Sequence, residues 1–458
     1  MGSGGIRRVR LVALAGALVV VASACWGSYG SDYGNTRVAI GETLVTRASA
    51  PSLHELWRID GTVGSTSTPA VAGDTVYFGA WDGTLRAVST ADGSPRWTRQ
   101  LSTSVVDDSP LVAGNNVYVG DGTGNLHAVD RATGTVRWTK DLDPAPYTRI
   151  FSSPVAVEDM IIVGVASFEI AIPTTNYTAR GSIVALDANT GAERWRVYTT
   201  NDDANGGAGV SVWSTAAIDR NLGLAFIGTG NTYEPPAAPR SDALLAIDYH
   251  TGAVVWTRQF TPGDVYTIFG PNQSGPDADI GAAPNLFAIG DREVVGVGDK
   301  AGVYAVLDRR TGETVWARRL PTGSHLGGIM TTAAVNNGRI YLSSNTWADQ
   351  VNLHNPLNRS TTYALDANTG AIVWSHALPS ATFGAMTYAN GVVFQPTING
   401  TLYGFDSRNG DILWSKQPGA DLGSGVSVSG GKVFVPFGFW FLTAPANPNG
   451  GLVAYGPA

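Results

Sequence analysis

Apolar and polar positions alternate with a period of two through most of this chain, as in DTVYFGAWDGTLRAV (Asp74 to Val88). That is the pattern of a strand with one buried face. The alternating stretches are short, and seven of them end in one punctuation: a small or apolar residue followed by a D-x-x-T-G-x-x-x-W signature or a close variant. The copies are AVSTADGSPRW ending at Trp97, AVDRATGTVRW at Trp138, ALDANTGAERW at Trp195 and AIDYHTGAVVW at Trp256. VLDRRTGETVW ends at Trp316, ALDANTGAIVW at Trp374 and GFDSRNGDILW at Trp414. In such a unit the Asp can bond backbone amides of a turn, the Gly takes the φ > 0 position, and the Trp starts the next strand. A Trp repeated once per sheet predicts a large apolar contact between neighbouring sheets.

An eighth copy is split. GGLVAYGPA at the C-terminus supplies a strand with no Trp after it, and LHELWRID supplies Trp57 with no turn before it. Joining the two closes a ring and removes exposed sheet edges. The expectation is therefore an all-β, eight-bladed propeller over residues 26–458, four strands to a blade, with N- and C-terminal strands completing the last blade. Trp57 to 97, 97 to 138 and 374 to 414 are 40, 41 and 40 residues apart, whereas the four intervals from Trp138 to Trp374 are 57, 61, 60 and 58. Four neighbouring blades thus carry insertions, and in repeat folds these gather on one face, often the binding face.

Composition agrees with many short strands and tight turns: 57 Gly and 24 Pro in 458 residues, with only 15% charged. A net charge of −7 with no basic tract argues against a nucleic-acid partner. The first 25 residues read as an export signal: Arg7, Arg8 and Arg10, an apolar core from Leu11 to Val21, then Ala22-Ser23-Ala24. The core is short for a membrane span. Cys25, the single cysteine, follows directly and resembles a lipobox, although Ala22 stands where leucine is usual. The expectation is an extracytoplasmic protein whose membrane contact is a lipid on Cys25, with no disulfide.

Within the enlarged blades three segments offer hard oxygen ligands: Glu169 in GVASFEIAIP, Asn231 in FIGTGNTYEPP, and Asp277 and Asp279 in GPDADIG. A set of this kind suits Ca²⁺ or a similar hard cation. Taken singly, each has a plain structural reading as a solvated acid, a turn former or a polar loop. Trp213 and Lys300 likewise read as a core aromatic and a hairpin lysine. No P-loop, G-x-S-x-G elbow or H-E-x-x-H occurs. FGFWFL (Phe437 to Leu442) reads as a core strand or as an apolar lip of the channel.

From Trp26 to the C-terminus the chain resembles the pyrroloquinoline quinone (PQQ) dehydrogenases, and most the polyvinyl-alcohol-dehydrogenase branch. WGSYGSDYGNTR (Trp26 to Arg37) is similar to that branch's opening segment. VWSTAAID, GTGNTYEPP, SDALLAID, TPGDVY, GPDADIGAAP and GDKAGVYAVLD follow in the family's order between Val212 and Asp308, and HLGGI (His325 to Ile329) also fits. The resemblance implies a quinoprotein alcohol-dehydrogenase-like propeller that oxidises a small or polymeric alcohol, with PQQ and Ca²⁺ or a lanthanide as cofactors. It implies Glu169, Asn231 and Asp277 as metal ligands, with Asp279 as the further acid of lanthanide-using members. Asp277 would also be the catalytic base. Trp213 would stack on the quinone, with Ser211 and Lys300 as polar contacts and Arg149, or else Arg180, facing its carboxylates. Two departures stand out. The adjacent-cysteine disulfide of many members is absent, and no C-x-x-C-H for an attached haem occurs, so electrons would pass to a separate acceptor such as a cytochrome c. A cofactor-free propeller lipoprotein acting as an interaction scaffold is the competing reading, and a sugar- or polymer-binding propeller with a structural metal is a third.

Overall fold

The computed structural model describes residues 25–200, 208–321, 326–348, 352–439 and 448–458. The export signal before Cys25, His325 and Trp440 to Leu442 lie outside these residues. Eight antiparallel sheets stand around one axis. Seven have four strands, and the third adds a short fifth, Thr148–Arg149, paired with Met160–Ser167. In all but the eighth the four blade strands run in sequence order from the channel outward. The innermost strands are Ala70–Ala72, Leu111–Ala113, Val155–Val157, Ala217–Asp219, Asn285–Ile289, Ala334–Asn336, Thr387–Ala389 and Ser427–Ser429. They begin the first to the eighth blade. The eighth blade closes as the split repeat predicts: Gly450–Gly456 is its third strand and His54–Thr62 its outermost, antiparallel, with Trp57 opposite Ala454.

The repeated turn has the chemistry read from sequence. In the second blade, Asp130 Oδ1 accepts the Ala132 and Thr133 amides, and Gly134 adopts φ +72°. The Gly has a second duty that the pattern did not reveal. A Cβ on Gly134 would lie 2.8 Å from the Trp97 ring, and one on Gly191 2.8 Å from Trp138. Seven of the eight repeat Trp residues, Trp57 to Trp374, thus lie against the turn glycine of the next blade. The indole N–H also donates to a backbone carbonyl of that blade: Trp97 to Arg131, Trp138 to Ala188, and Trp414 across the closure to Leu53. One residue pair thus supplies an apolar contact and satisfies a polar group at the same seam.

Antiparallel order puts the connection between second and third strands, and the one leading to the next blade, at the same end of every sheet. The long connections 168–181, 229–242, 260–284 and 347–358 are all of these two kinds. The insertions therefore share one face, opposite the Trp-bearing turns.

The channel is crossed by the segment before the first strand. Its backbone hydrogen-bonds the free inner edges of six blades in turn: Trp26 with Val71, Gly27 with Val112, Tyr33 with Ile218, Gly34 with Leu286, Thr36 with Val335, and Arg37 with Tyr388. Unpaired edge N–H groups thereby find carbonyls without water. The third and eighth blades are met differently. Beside the third, a cavity of about 230 Å³ opens between the strap and Leu111 to Ala113 and Pro154 to Ala156. The eighth is held by a side chain, Glu42 accepting the Gly431 amide. Phe437 is a fully buried strand residue, while Phe439 beyond it packs edge-on against Trp81 and Phe383. No helix among the described residues is long and apolar enough to cross a membrane.

Candidate functional site

The enlarged face brings together five of the sequence-predicted residues: Lys300, Asp277, Asp279, Asn231 and Trp213. Lys300, in the tight turn between Arg292–Gly298 and Val303–Asp308, is almost fully buried. Its ammonium donates to Asp277 Oδ1 at 2.8 Å and to Asp279 Oδ2 at 2.7 Å. Asp279 Oδ1 accepts the Asn231 backbone amide at 2.7 Å. The Asn231 side-chain nitrogen donates to the Thr232 and Tyr266 carbonyls, which occupies the nitrogen and leaves the amide oxygen as the ligating end. Trp213 is half-buried, with the Lys300 ammonium 5.5 Å from its ring centroid. A Cβ on Gly281 would fall 1.7 Å from a Trp213 ring carbon. Only glycine lets the indole lie against that turn.

Glu169 is held apart from this group. It sits in a short 3-10 turn, Phe168–Ala171, and its carboxylate accepts the Thr178 amide and hydroxyl and the Ala179 amide. Among the described residues no three acidic, His or Cys side chains stand close enough to share one ion. Tyr233 lies between the two parts of the site, and its hydroxyl bonds Ser211 Oγ at 2.8 Å and the Ser167 carbonyl at 3.1 Å. Burial first, then the Asp279 and Glu169 charges, hold that phenol above its ordinary range. Ser211 also accepts the Ser167 amide, so its hydroxyl ties two loops together. Arg149 lies 4.7 Å over the Phe168 ring, beside Glu169. Arg180 stacks instead on Tyr198 at 4.1 Å and donates to Thr200.

Two further acids that the sequence reading passed over complete the site. Asp264 accepts the Ala278 amide at 2.7 Å and the Asp277 amide at 3.3 Å. Asp242 is fully buried, with neither carboxylate oxygen hydrogen-bonded. Both stood inside segments quoted for the resemblance, TPGDVY and SDALLAID, and only their shared burial singles them out. Two of these four aspartates bond Lys300 directly, and Asp264 and Asp242 lie within reach of their charges. Burial pushes the Asp277 carboxyl up to about 8 despite Lys300, with the Asp279 charge adding to the rise. Burial also works against the Lys300 charge, but Asp277 and Asp279 hold it well above its ordinary value. Asp242 is raised well above the usual range by burial and then by Asp279 and Asp264.

These features fit a hard cation and a flat cofactor. Asp277 Oδ2 is buried with no hydrogen-bond partner, an arrangement that leaves a carboxylate short of compensation unless a cation supplies it. The half-buried indole offers a flat apolar surface beside the lysine donor.

Elsewhere on this face, burial raises the carboxyls of Asp107 and Asp299 to about 6 each. A carboxyl raised on folding contributes stability that is full below about 3.8 and lost as pH rises through about 6. The strongly depressed acids, Asp121, Asp130 and Asp187 at about 2, are ionised throughout pH 5 to 7 and do not oppose this. The melting temperature of the metal-free protein is therefore expected to fall between pH 5 and pH 7 in a thermal scan.

The eight-bladed propeller is the architecture of quinohemoprotein alcohol dehydrogenases among solved structures. The PQQ_2 family model, described as outer membrane protein assembly factor BamB, matches residues 41–269 and 299–458. The chain belongs to that family. A polyvinylalcohol dehydrogenase of a Pseudomonas species is 28% identical over 418 residues, which is 82% of this chain and 64% of that protein. The chain thus spans less than two thirds of that relative. Among solved structures, the quinohemoprotein alcohol dehydrogenase of Comamonas testosteroni superposes with a TM-score of 0.79 at 21% identity, over 95% of this chain and 81% of that one. BamB of Moraxella catarrhalis superposes with 0.59 at 16% identity, over 88% and 97%.

Proposed function

We propose that this protein is a PQQ-dependent dehydrogenase that oxidises an alcohol, secondary or polymeric, outside the cytoplasm. The observation that carries the reading is the buried meeting of Lys300, Asp277 and Asp279 beside Trp213. Asp277 Oδ2, Asp279 and the Asn231 amide oxygen would hold Ca²⁺ or a lanthanide, and Glu169 would join them only by leaving its Thr178 and Ala179 donors. Trp213 would support the quinone, Lys300 would donate to its oxygens, and Arg149 would face its carboxylates. A metal-bound quinone held there would supply the hydride acceptor for the alcohol carbon. The chain's own part is to orient the alcohol, exclude water and take the hydroxyl proton on the Asp277 carboxylate. A buried carboxyl raised toward neutrality is matched to that task. Electrons then leave to a separate acceptor, and a lipid on Cys25 tethers the propeller to the membrane.

The scaffold reading draws support from the description of the matched family. A scaffold has no use, however, for a buried lysine shared by two aspartates, one with an orphaned oxygen. Reconstitution of the purified protein with PQQ and Ca²⁺ or a lanthanide, followed by dye reduction with a panel of simple and polymeric alcohols, decides between them. Binding of PQQ with alcohol-dependent reduction is the expected result. No PQQ binding with any metal would remove the dehydrogenase reading.

A further inference from the structure

We propose that Asp264 is a positioning residue: its carboxylate fixes the Asp277–Ala278 backbone so that Asp277 faces Lys300. Asp264 lies near the start of the connection 260–284 and is fully buried. One oxygen accepts the Ala278 amide at 2.7 Å and the other the Asp277 amide at 3.3 Å. Both donors belong to residues that are 1% exposed. Without Asp264 they would be buried N–H groups with no acceptor. Asp277 also adopts φ +57°, a conformation that a non-glycine residue keeps only where its surroundings impose it.

The rest of the loop is shaped to admit this carboxylate. A Cβ on Gly275 would stand 1.8 Å from Asp264 Oδ1, so the returning chain passes only as glycine. The Gly275 amide donates to the carbonyl of Val265, and Tyr266 bridges Gln273. These contacts close residues 264–278 into one lobe around the buried acid. The two site aspartates are then held by different means. Asp279 is anchored by the Asn231 amide and by its own carbonyl accepting from Lys300. Asp277 depends on Asp264.

The kinetic consequence rests on the dehydrogenase reading, and the structural one does not. Asp264→Ala, Asp264→Asn and Gly275→Ala should be compared by hydrogen exchange of the cofactor-free protein and by steady-state kinetics of the reconstituted one. In Asp264→Ala the amides of a peptide covering 275–282 should exchange about tenfold faster, with the strands of the fifth blade unchanged. The kcat should fall while KM for the alcohol stays near wild type, as expected when a group needed in the transition state is misplaced. Asp264→Asn, which keeps one acceptor oxygen, should be intermediate. Gly275→Ala should loosen the same peptide by pressing its Cβ on a carboxylate that is still present, and it carries the test if Asp264→Ala does not fold. Wild-type protection in both Asp264→Ala and Gly275→Ala overturns the proposal whatever the assay shows. A loosened loop with unchanged kcat and KM also overturns it. Loosening in a protein that never turns over an alcohol supports the positioning role and refutes the dehydrogenase.

Discussion

Asp277→Asn is expected to lower turnover by a factor of about 10²–10⁴ while leaving the melting temperature of the metal-free protein unchanged or raised. The two effects have one cause. Asp277 is buried, one of its oxygens has no hydrogen-bond partner, and its carboxyl is pushed up to about 8. Such a group is poorly accommodated by the fold, so making it neutral removes a strain. Lys300 keeps Asp279 as a charge partner at 2.7 Å, and the Asn oxygen can still accept from it. The amide has no lone pair able to take a proton near neutral pH, so the step assigned to Asp277 is lost. The check is kcat measured beside a thermal scan of the same preparation. Wild-type turnover in the variant would remove Asp277 as the base. A large fall in melting temperature would show that its charge is instead needed by the fold.

Strain at this point and ease elsewhere also explain what was legible in the sequence. The blade count, the split closure and the single enlarged face follow from local signals: period-two alternation, a turn motif and the spacing of Trp residues. Each of those is written within a few neighbouring positions. The partnership of Trp97 with Gly134 was half-visible, because the glycine is demanded first by its φ and only the assembled ring shows the indole lying on it. Asp277, Asp279 and Lys300 were placed by family order, which located the residues but not their mutual contact. Asp264 and Asp242 left no signal of their own. An aspartate in a Gly- and Pro-rich loop reads as a turn former, and burial across fourteen residues of sequence, as between Asp264 and Ala278, has no local trace. The same holds for the strap from Trp26 to Arg37. It carries no periodicity, because its partners are six separate sheet edges.

Arg37→Met is expected to destabilise the propeller by about 2–6 kcal/mol, the cost of two carbonyls left without their donor. Arg37 is fully buried, yet it forms no ion pair among the described contacts. Its Nε donates to the Met386 carbonyl at 2.5 Å, and Nη2 to the Val426 carbonyl at 3.3 Å and to Thr387 Oγ1 at 3.1 Å. Nη1 donates to the Tyr29 carbonyl. The guanidinium lies 4.8 Å from the Tyr29 ring centroid and 5.4 Å from that of Trp26. Burial lowers its pKa to about 10, which still leaves it charged at neutral pH. The residue thus rivets the strap to the seventh and eighth blades, next to the seam where the ring closes. Methionine fills much of the volume but leaves the Met386 and Tyr29 carbonyls without donors, each a penalty of about 1–3 kcal/mol, while the Val426 carbonyl keeps the Thr387 hydroxyl. Lysine retains the charge but cannot reach four acceptors in one plane, so Arg37→Lys should recover only part of the loss. The measurement is the free energy of unfolding in denaturant, with the slope compared to confirm that the same surface is exposed. A loss of less than about 1 kcal/mol, within the range of ordinary surface substitutions and minor repacking, would mean that the strap is held by its backbone bonds alone.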